Sequence, residues 1–437
     1  ILLGGHLNDL RKQTQERVDE GVIGRESRHL INIKKEAPRP IGVGKHRDTT
    51  KDVATFTTTE GDFSSRFANT LGVNLTGLSD PAIFTVKKQT TVLNNLYKWI
   101  KEYHYLDPEN GKKLDLPMLL IDDEADYASV NTKKHKEEVT KTNEKIREIL
   151  SLFERHTYIG YTATPFANIF IDPDSEGEAL EDDLFPADFM IKIPIPDNYV
   201  GQDHFFGNEL QGVEIISDCQ NLLELKSDDY ISEIPESLKE AVRVFLLNTV
   251  IRTLRGDPHA HNTMMVNCSH LKQHQQRLKV LIQEYVDHIK DAIESFSGLG
   301  IKASAENKIL KSIQDTYNSS FNSPEKYEDI FPELPRSIHK IKVLAVYQGG
   351  DNLDYSTFSQ FGLSAIAIGG HRLSRGLTLE GLSVSYFTRN SKPFYTLMQM
   401  CRWFGYRPRY TDLCKVYLTF ESDDWYSFIT RSINELY

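Results

Sequence analysis

The sequence predicts an α/β protein in which two successive domains each carry a parallel sheet. Three observations predict it. The apolar run Leu119-Leu120-Ile121 breaks directly into Asp122-Asp123-Glu124-Ala125-Asp126, and the strand-like Thr157-Tyr158-Ile159-Gly160-Tyr161 ends in Thr162-Ala163-Thr164-Pro165. Polar side chains at the tip of an apolar strand mark the carboxyl edge of a parallel sheet, where α/β proteins place their chemistry. A second series of strand candidates, alternating with helical patterns, starts at His261 after a polar, proline-punctuated interval.

A chain of 437 residues is long enough for two or three domains. Its 39% hydrophobic and 26% charged residues are ordinary for a soluble globular protein. No apolar run approaches the ~18–20 residues that span a bilayer, and Arg11, Lys12, Glu16 and Arg17 are followed by no apolar run or cleavage site. A cytoplasmic protein without membrane contact is expected. Cys219, Cys268, Cys401 and Cys414 lie far apart and form no Cys-x-x-Cys pair, so neither a disulfide framework nor a zinc site is expected. A net charge of −11 argues against a broadly basic surface; nucleic acid would have to use a local groove.

In chain order, Ile1-Leu2-Leu3 reads as a strand, Gly4-Gly5 as its turn and Asn8 to Arg17 as a polar helix. A strand opening a parallel sheet ordinarily has a lead-in, so a preceding segment is expected. Residues 24–66 read as an insertion or long loop. Within it, Gly42-Val43-Gly44-Lys45-His46 imitates a phosphate loop, but the required earlier glycine is replaced by Arg39 and the hydroxyl residue after the lysine by His46. Pro81 to Lys88 predicts a strand running into basic residues. Val92, Leu93, Leu96, Trp99 and Ile100 recur at helical spacing, and a charged helix is expected over residues 133–155. Residues 172–236 read as a connecting region. A helix from Leu238, a strand over residues 261–267, a helix ending near Gly298 and polar residues 303–338 follow. Then come strands at Ile341 to Tyr347, Ser364 to Ile368 and Ser383 to Phe387, a helix around Leu397 to Trp403 and a last strand, Cys414 to Phe420. His270 and His274 stand four apart, but no third metal ligand accompanies them.

Asp123 and Glu124 are the candidate catalytic acids. In a nucleoside triphosphatase the first acid of such a quartet holds Mg²⁺ and the second activates water, although a strand ending in acids also serves as an ordinary solvated strand end. Two hydroxyl residues at a strand tip, Thr162 and Thr164, suit a relay between a bound phosphate and a moving neighbour; a simple threonine-rich turn is the competing reading. In Gly369 to Gly381, Arg375 beside Gly376 suits closure on phosphate. Gln399-Met400-Cys401-Arg402-Trp403-Phe404-Gly405-Tyr406-Arg407-Pro408-Arg409 packs three arginines into a helix and its exit, a pattern suited to an arginine finger.

The order of these motifs resembles a superfamily-two helicase core with two RecA-like domains. More narrowly, the strings GGHLNDLRKQTQER, IDDEADYAS, GYTATPFANIF, LSRGLTLEGLSVSYF and QMCRWFGYRPRYTDLC resemble the Z1 domain family, described as candidate endonucleases fused to helicase-type ATPases. Such proteins occur in bacterial restriction and phage-defence systems beside DNA methyltransferases, GHKL-type ATPases and nucleases. The resemblance implies a first RecA-like domain over residues 1–171, lacking its phosphate-loop strand and helix, and a second over 237–437 with a helical insertion around 271–338. It implies ATP and Mg²⁺ as ligands, with Asp123 holding the metal and Glu124 activating water. Thr162 and Thr164 would couple nucleotide to DNA, and Arg375, Gly376, Gln399, Arg402 and Arg407 would close on the phosphates. Gln13, Thr14, Lys87 and Lys88 would face DNA. Cys401 departs from the family's glycine, the Arg402 to Arg407 spacing is longer than in ordinary helicases, and no Gly-x-x-x-x-Gly-Lys-Ser/Thr occurs. The expected function is a DNA-dependent ATPase or translocase. A metal-dependent endonuclease, with Asp218 and Glu224-Leu225-Lys226 as its candidate acids and lysine, and a non-catalytic DNA-binding scaffold are the alternatives.

Overall fold

The computed structural model describes residues 1–5, 8–30, 39–46, 53–71, 75–104, 113–126, 129, 140–163, 168, 184–207, 212–374, 377–389, 397 and 400–436. They form two compact units, Ile1–Lys192 and Ile193–Tyr437. Both are α/β with parallel sheets.

In the first unit, β1 (Leu2–Gly4), β2 (Thr85–Val86), β3 (Leu114–Asp123) and β4 (Phe153–Tyr161) form a sheet in the order β2-β1-β3-β4, every pairing parallel. Parallel neighbours require crossovers. Helix α1 (Asn8–Val18) follows β1, α2 (Thr90–His104) links β2 to β3, and α3 (Lys141–Ser151) precedes β4. On α2 the helical spacing places Leu93, Leu96, Trp99 and Ile100 on one buried face. Trp99 closes an aromatic cluster with Phe56, Phe63 and Phe84, in which the Phe56 and Phe84 rings stack at 4.7 Å. The helix expected to run to residue 155 ends at Ser151, because Phe153 is already paired with Leu114 as the first residue of β4. Arg11, buried on α1, ties the helix to the loop beside it by donating to the carbonyls of Thr58 and Thr59.

The second unit is organised around α4 (Glu236–Leu254), whose residues are buried on nearly every side. Strands β5 (Val213–Ile216), β6 (Asn262–Asn267), β7 (Ile341–Ala345), β8 (Ser364–Ile368), β9 (Leu382–Phe387) and β10 (Lys415–Thr419) form a six-stranded parallel sheet in the order β7-β8-β6-β9-β10-β5. All residues of β6, β8 and β9 are buried, as expected of central parallel strands covered on both faces. β5 lies within the stretch read as connecting sequence, yet it pairs with β10 at the sheet edge. Helices α5 (Lys272–Phe296) and α6 (Lys308–Ser320) follow β6; the Asn307 side chain caps α6 by accepting from the Ile309 and Leu310 amides. A final helix, α7 (Phe420–Leu436), continues directly from β10. Among the described residues, no helix is long and apolar enough to cross a membrane.

Candidate active site

Alternation along β3 buries Asp122 and exposes Asp123. Asp122 is wholly enclosed, and so is the side chain of Lys88, which leaves the end of β2; Lys88 Nζ lies 3.0 Å from Asp122 Oδ1. The Tyr158 hydroxyl on β4 donates to the other carboxylate oxygen at 2.8 Å. Lys88 Nζ also donates to the Glu124 carbonyl at 2.6 Å and lies 3.4 Å from Ser129 Oγ. Glu124 has φ 54°, a left-handed conformation unusual for a residue with a side chain. Its amide donates to Asp123 Oδ1 at 3.1 Å, and the Ala125 amide donates to the Tyr161 carbonyl at 3.0 Å. Gly160 permits the buried Ala125 to settle against β4, since a Cβ at Gly160 would stand 2.9 Å from that of Ala125. Asp126 accepts from Thr162 Oγ1 at 2.8 Å. The sheet therefore gathers Asp123, Glu124, Asp126 and Thr162 at one carboxyl edge.

Of the residues expected to face DNA, Lys88 requires correction. Its ammonium is enclosed and committed to Asp122 and the Glu124 carbonyl, so it does not meet a phosphate. Lys87 has its ammonium at the surface, donating to Asn8 Oδ1 at 2.7 Å. Gln13 and Thr14 are half-buried on α1, where the Thr14 hydroxyl donates to the Leu10 carbonyl. Asp122, Tyr158 and Asp126 carry the geometry of the turn but were not singled out from sequence. The available signal was strand alternation, which turns Asp122 inward and Asp123 outward.

The glycines of Gly42–Lys45 serve chain packing. This segment is a short helix, and a Cβ on Gly44 would fall 1.9 Å from the Gly24 carbonyl oxygen. The close approach of two backbones accounts for them without phosphate.

In the second unit, Arg375, Gly376 and Gln399 lie outside the described residues, as does Thr164 in the first. Arg402 is half-buried and donates to the Leu377 carbonyl. Arg407 is buried, and its guanidinium donates to the carbonyls of Tyr406 at 3.0 Å, Trp403 at 3.3 Å, Phe404 at 3.3 Å and Arg402 at 3.4 Å. Arg407 thus ties up the chain that precedes it. Gly405, at φ 149°, leaves room for that guanidinium, because a Cβ there would meet Arg407 Nη1 at 2.8 Å. Of the three arginines whose pattern suits a finger, Arg407 spends its donors inside its own turn.

His274 is a satisfied interior residue, its ring nitrogens 3.0 Å from Ser269 Oγ and 3.1 Å from the Asp229 carbonyl. No group of three or more His, Cys, Asp or Glu among the described residues is arranged to hold a metal ion. All four cysteines are free and buried. Burial pushes the Cys268 thiol up to about 12, so it is not a nucleophile near neutral pH. Asp218, the endonuclease candidate, accepts from the amide and hydroxyl of Ser237 at the start of α4, while the Lys226 amide donates to Asp229. Satisfying the free Ser237 amide in the first turn of α4 accounts for Asp218.

Residues 237–437 match the family model of the Z1 domain. The match takes in α4, strands β6 to β10 and the arginine-bearing turn. It supports the Z1 part of the resemblance, and with it the association with endonuclease-type systems; the first unit, with its acidic quartet, lies outside the matched residues. No curated protein matches the chain.

Proposed function

We propose that the chain contributes the acidic and arginine elements, without the phosphate loop, of the ATP-hydrolysing, DNA-dependent module of a helicase-type translocase acting in restriction or phage defence. The observation that carries this reading is the hydrogen bond from Thr162 to Asp126, which joins an Asp-Glu-Ala-Asp turn to a Thr-Ala-Thr tip on adjacent parallel strands. A solvated strand end needs no such link. The bond lets a change at one strand end be felt at the other, as a relay from a nucleotide site would use.

The exposed Asp123 carboxylate offers the hard oxygen that Mg²⁺ takes, alongside substrate phosphates. When bound, the metal would neutralise charge on the transferring phosphoryl group. Glu124 would accept the proton of the attacking water as ATP gives ADP and phosphate. In this reading Arg402, with Arg375, supplies positive charge to the phosphates while Gln399 helps to position them, Arg407 supports the turn that presents Arg402, and Thr162 with Thr164 reports the nucleotide state. Gln13, Thr14 and Lys87 contact the DNA backbone. The test is phosphate release by the natural full-length protein with and without DNA. Stimulated turnover is expected; a protein that binds DNA but never hydrolyses ATP would be the scaffold instead.

A further inference from the structure

We infer that Lys88 and Asp122 are positioning residues that fix the turn carrying Asp123 and Glu124. Both side chains are completely excluded from water, 3.0 Å apart. Taking two charges out of water costs more than their mutual attraction ordinarily returns, so such a pair is a poor device for stability alone. This pair has a further partner. The Lys88 ammonium donates to the Glu124 carbonyl at 2.6 Å, bridging the residues on either side of Asp123.

What it closes is a strained turn. A glutamate at φ 54° persists only where its surroundings over-determine it. Here Lys88 holds the Glu124 carbonyl, Asp123 holds the Glu124 amide, and the Tyr161 carbonyl holds the Ala125 amide. Tyr158 anchors the second oxygen of Asp122, so residues from β3, from β4 and from just beyond β2 together set one turn. The direction of the Asp123 and Glu124 carboxylates then depends on a lysine that touches no ligand.

The functional half of this inference rests on the proposed hydrolysis; the structural half does not. The test compares parent, Lys88→Met, the double variant Lys88→Met with Asp122→Leu, and Tyr158→Phe, all in the natural full-length protein. Lys88→Met leaves Asp122 buried and unpaired and lowers the unfolding midpoint, whereas the double variant removes both charges and returns the midpoint to near the parent value. In both, hydrogen exchange of the peptide spanning residues 119–126 should be at least tenfold faster than in the parent, with a smaller change of the same sign in Tyr158→Phe. Turnover should fall at least tenfold in the double variant while KM for ATP stays within twofold. A double variant with parent-like exchange and parent-like turnover would overturn the inference and leave the pair as packing. If Lys88→Met fails to fold, the other two variants decide. If the parent hydrolyses no ATP, the proposed function fails and the exchange data alone judge the pair.

Discussion

The Thr162 hydroxyl donates to Asp126 Oδ1 at 2.8 Å, so the residue just beyond β4 holds the last acid of the turn beyond β3. Removing that hydroxyl should uncouple the two strand ends without disturbing either core. Thr162→Ala is expected to lower DNA-stimulated turnover about tenfold and DNA-independent turnover much less, and Thr162→Ser to restore most of it. Equal losses in both assays would mean that the bond supports the fold and relays nothing.

The two arginines of the second unit should separate by assay. Arg407→Ala strips donors from the carbonyls of Trp403, Phe404 and Tyr406, at a cost of about 1–3 kcal/mol in urea unfolding. Gly405→Ala should act in the same direction by crowding the same guanidinium. Arg402→Ala should change stability little and turnover strongly. The reverse pattern would make Arg407 the residue that meets phosphate.

Acid should loosen the second unit through Glu325. Arg255 donates to both oxygens of Glu325 and to both of Asp412, and these bonds, with help from Ser323, hold the Glu325 carboxyl down to about 2 against an ordinary 4.5. A depressed acid contributes stability above its unfolded pKa and loses it as pH falls through the folded one. Glu325→Gln should therefore be less stable than the parent at pH 7, by on the order of 1 kcal/mol once solvent screening is allowed for, and the difference should shrink from pH 4.5 toward pH 2. A difference independent of pH would assign the effect to packing.

The sheets were legible because their central strands are short stretches rich in apolar residues between polar segments, and Ser364 to Ile368 was delimited as the structure has it. β5 was missed because four residues in a proline-rich stretch give no periodicity of their own; only pairing with β10 makes them a strand. α7 was missed because the chain passes from strand to helix at Phe420 with no glycine or proline between them. Lys87 and Lys88 read as one basic pair, yet just beyond β2 the chain carries the first to the surface and the second into the interior. Asp123 and Glu124 were visible as acids at a strand tip. The buried counter-charge beneath them was not, because a sequence does not say which neighbouring strand ends beside which.

With Lys88 enclosed, backbone contacts to DNA must be few. With Lys87 the one cation left among the proposed contacts, the slope of log affinity against log salt should be shallow, about −1. Lys87→Ala should flatten it and weaken all DNA sequences alike, while Lys88→Met should alter stability and leave the slope unchanged. A steep slope, or a preference for one sequence that Lys87→Ala relaxes, would indicate a specific DNA reader.

The central claim is that Glu124 performs chemistry. In the natural full-length protein, Glu124→Gln keeps the size of the side chain and removes the base, so DNA-stimulated ATP hydrolysis should fall at least a hundredfold while the affinity for nucleotide stays within a few-fold of the parent. Turnover equal to that of the parent would contradict the account and leave Glu124 a solvated acid at the end of a strand.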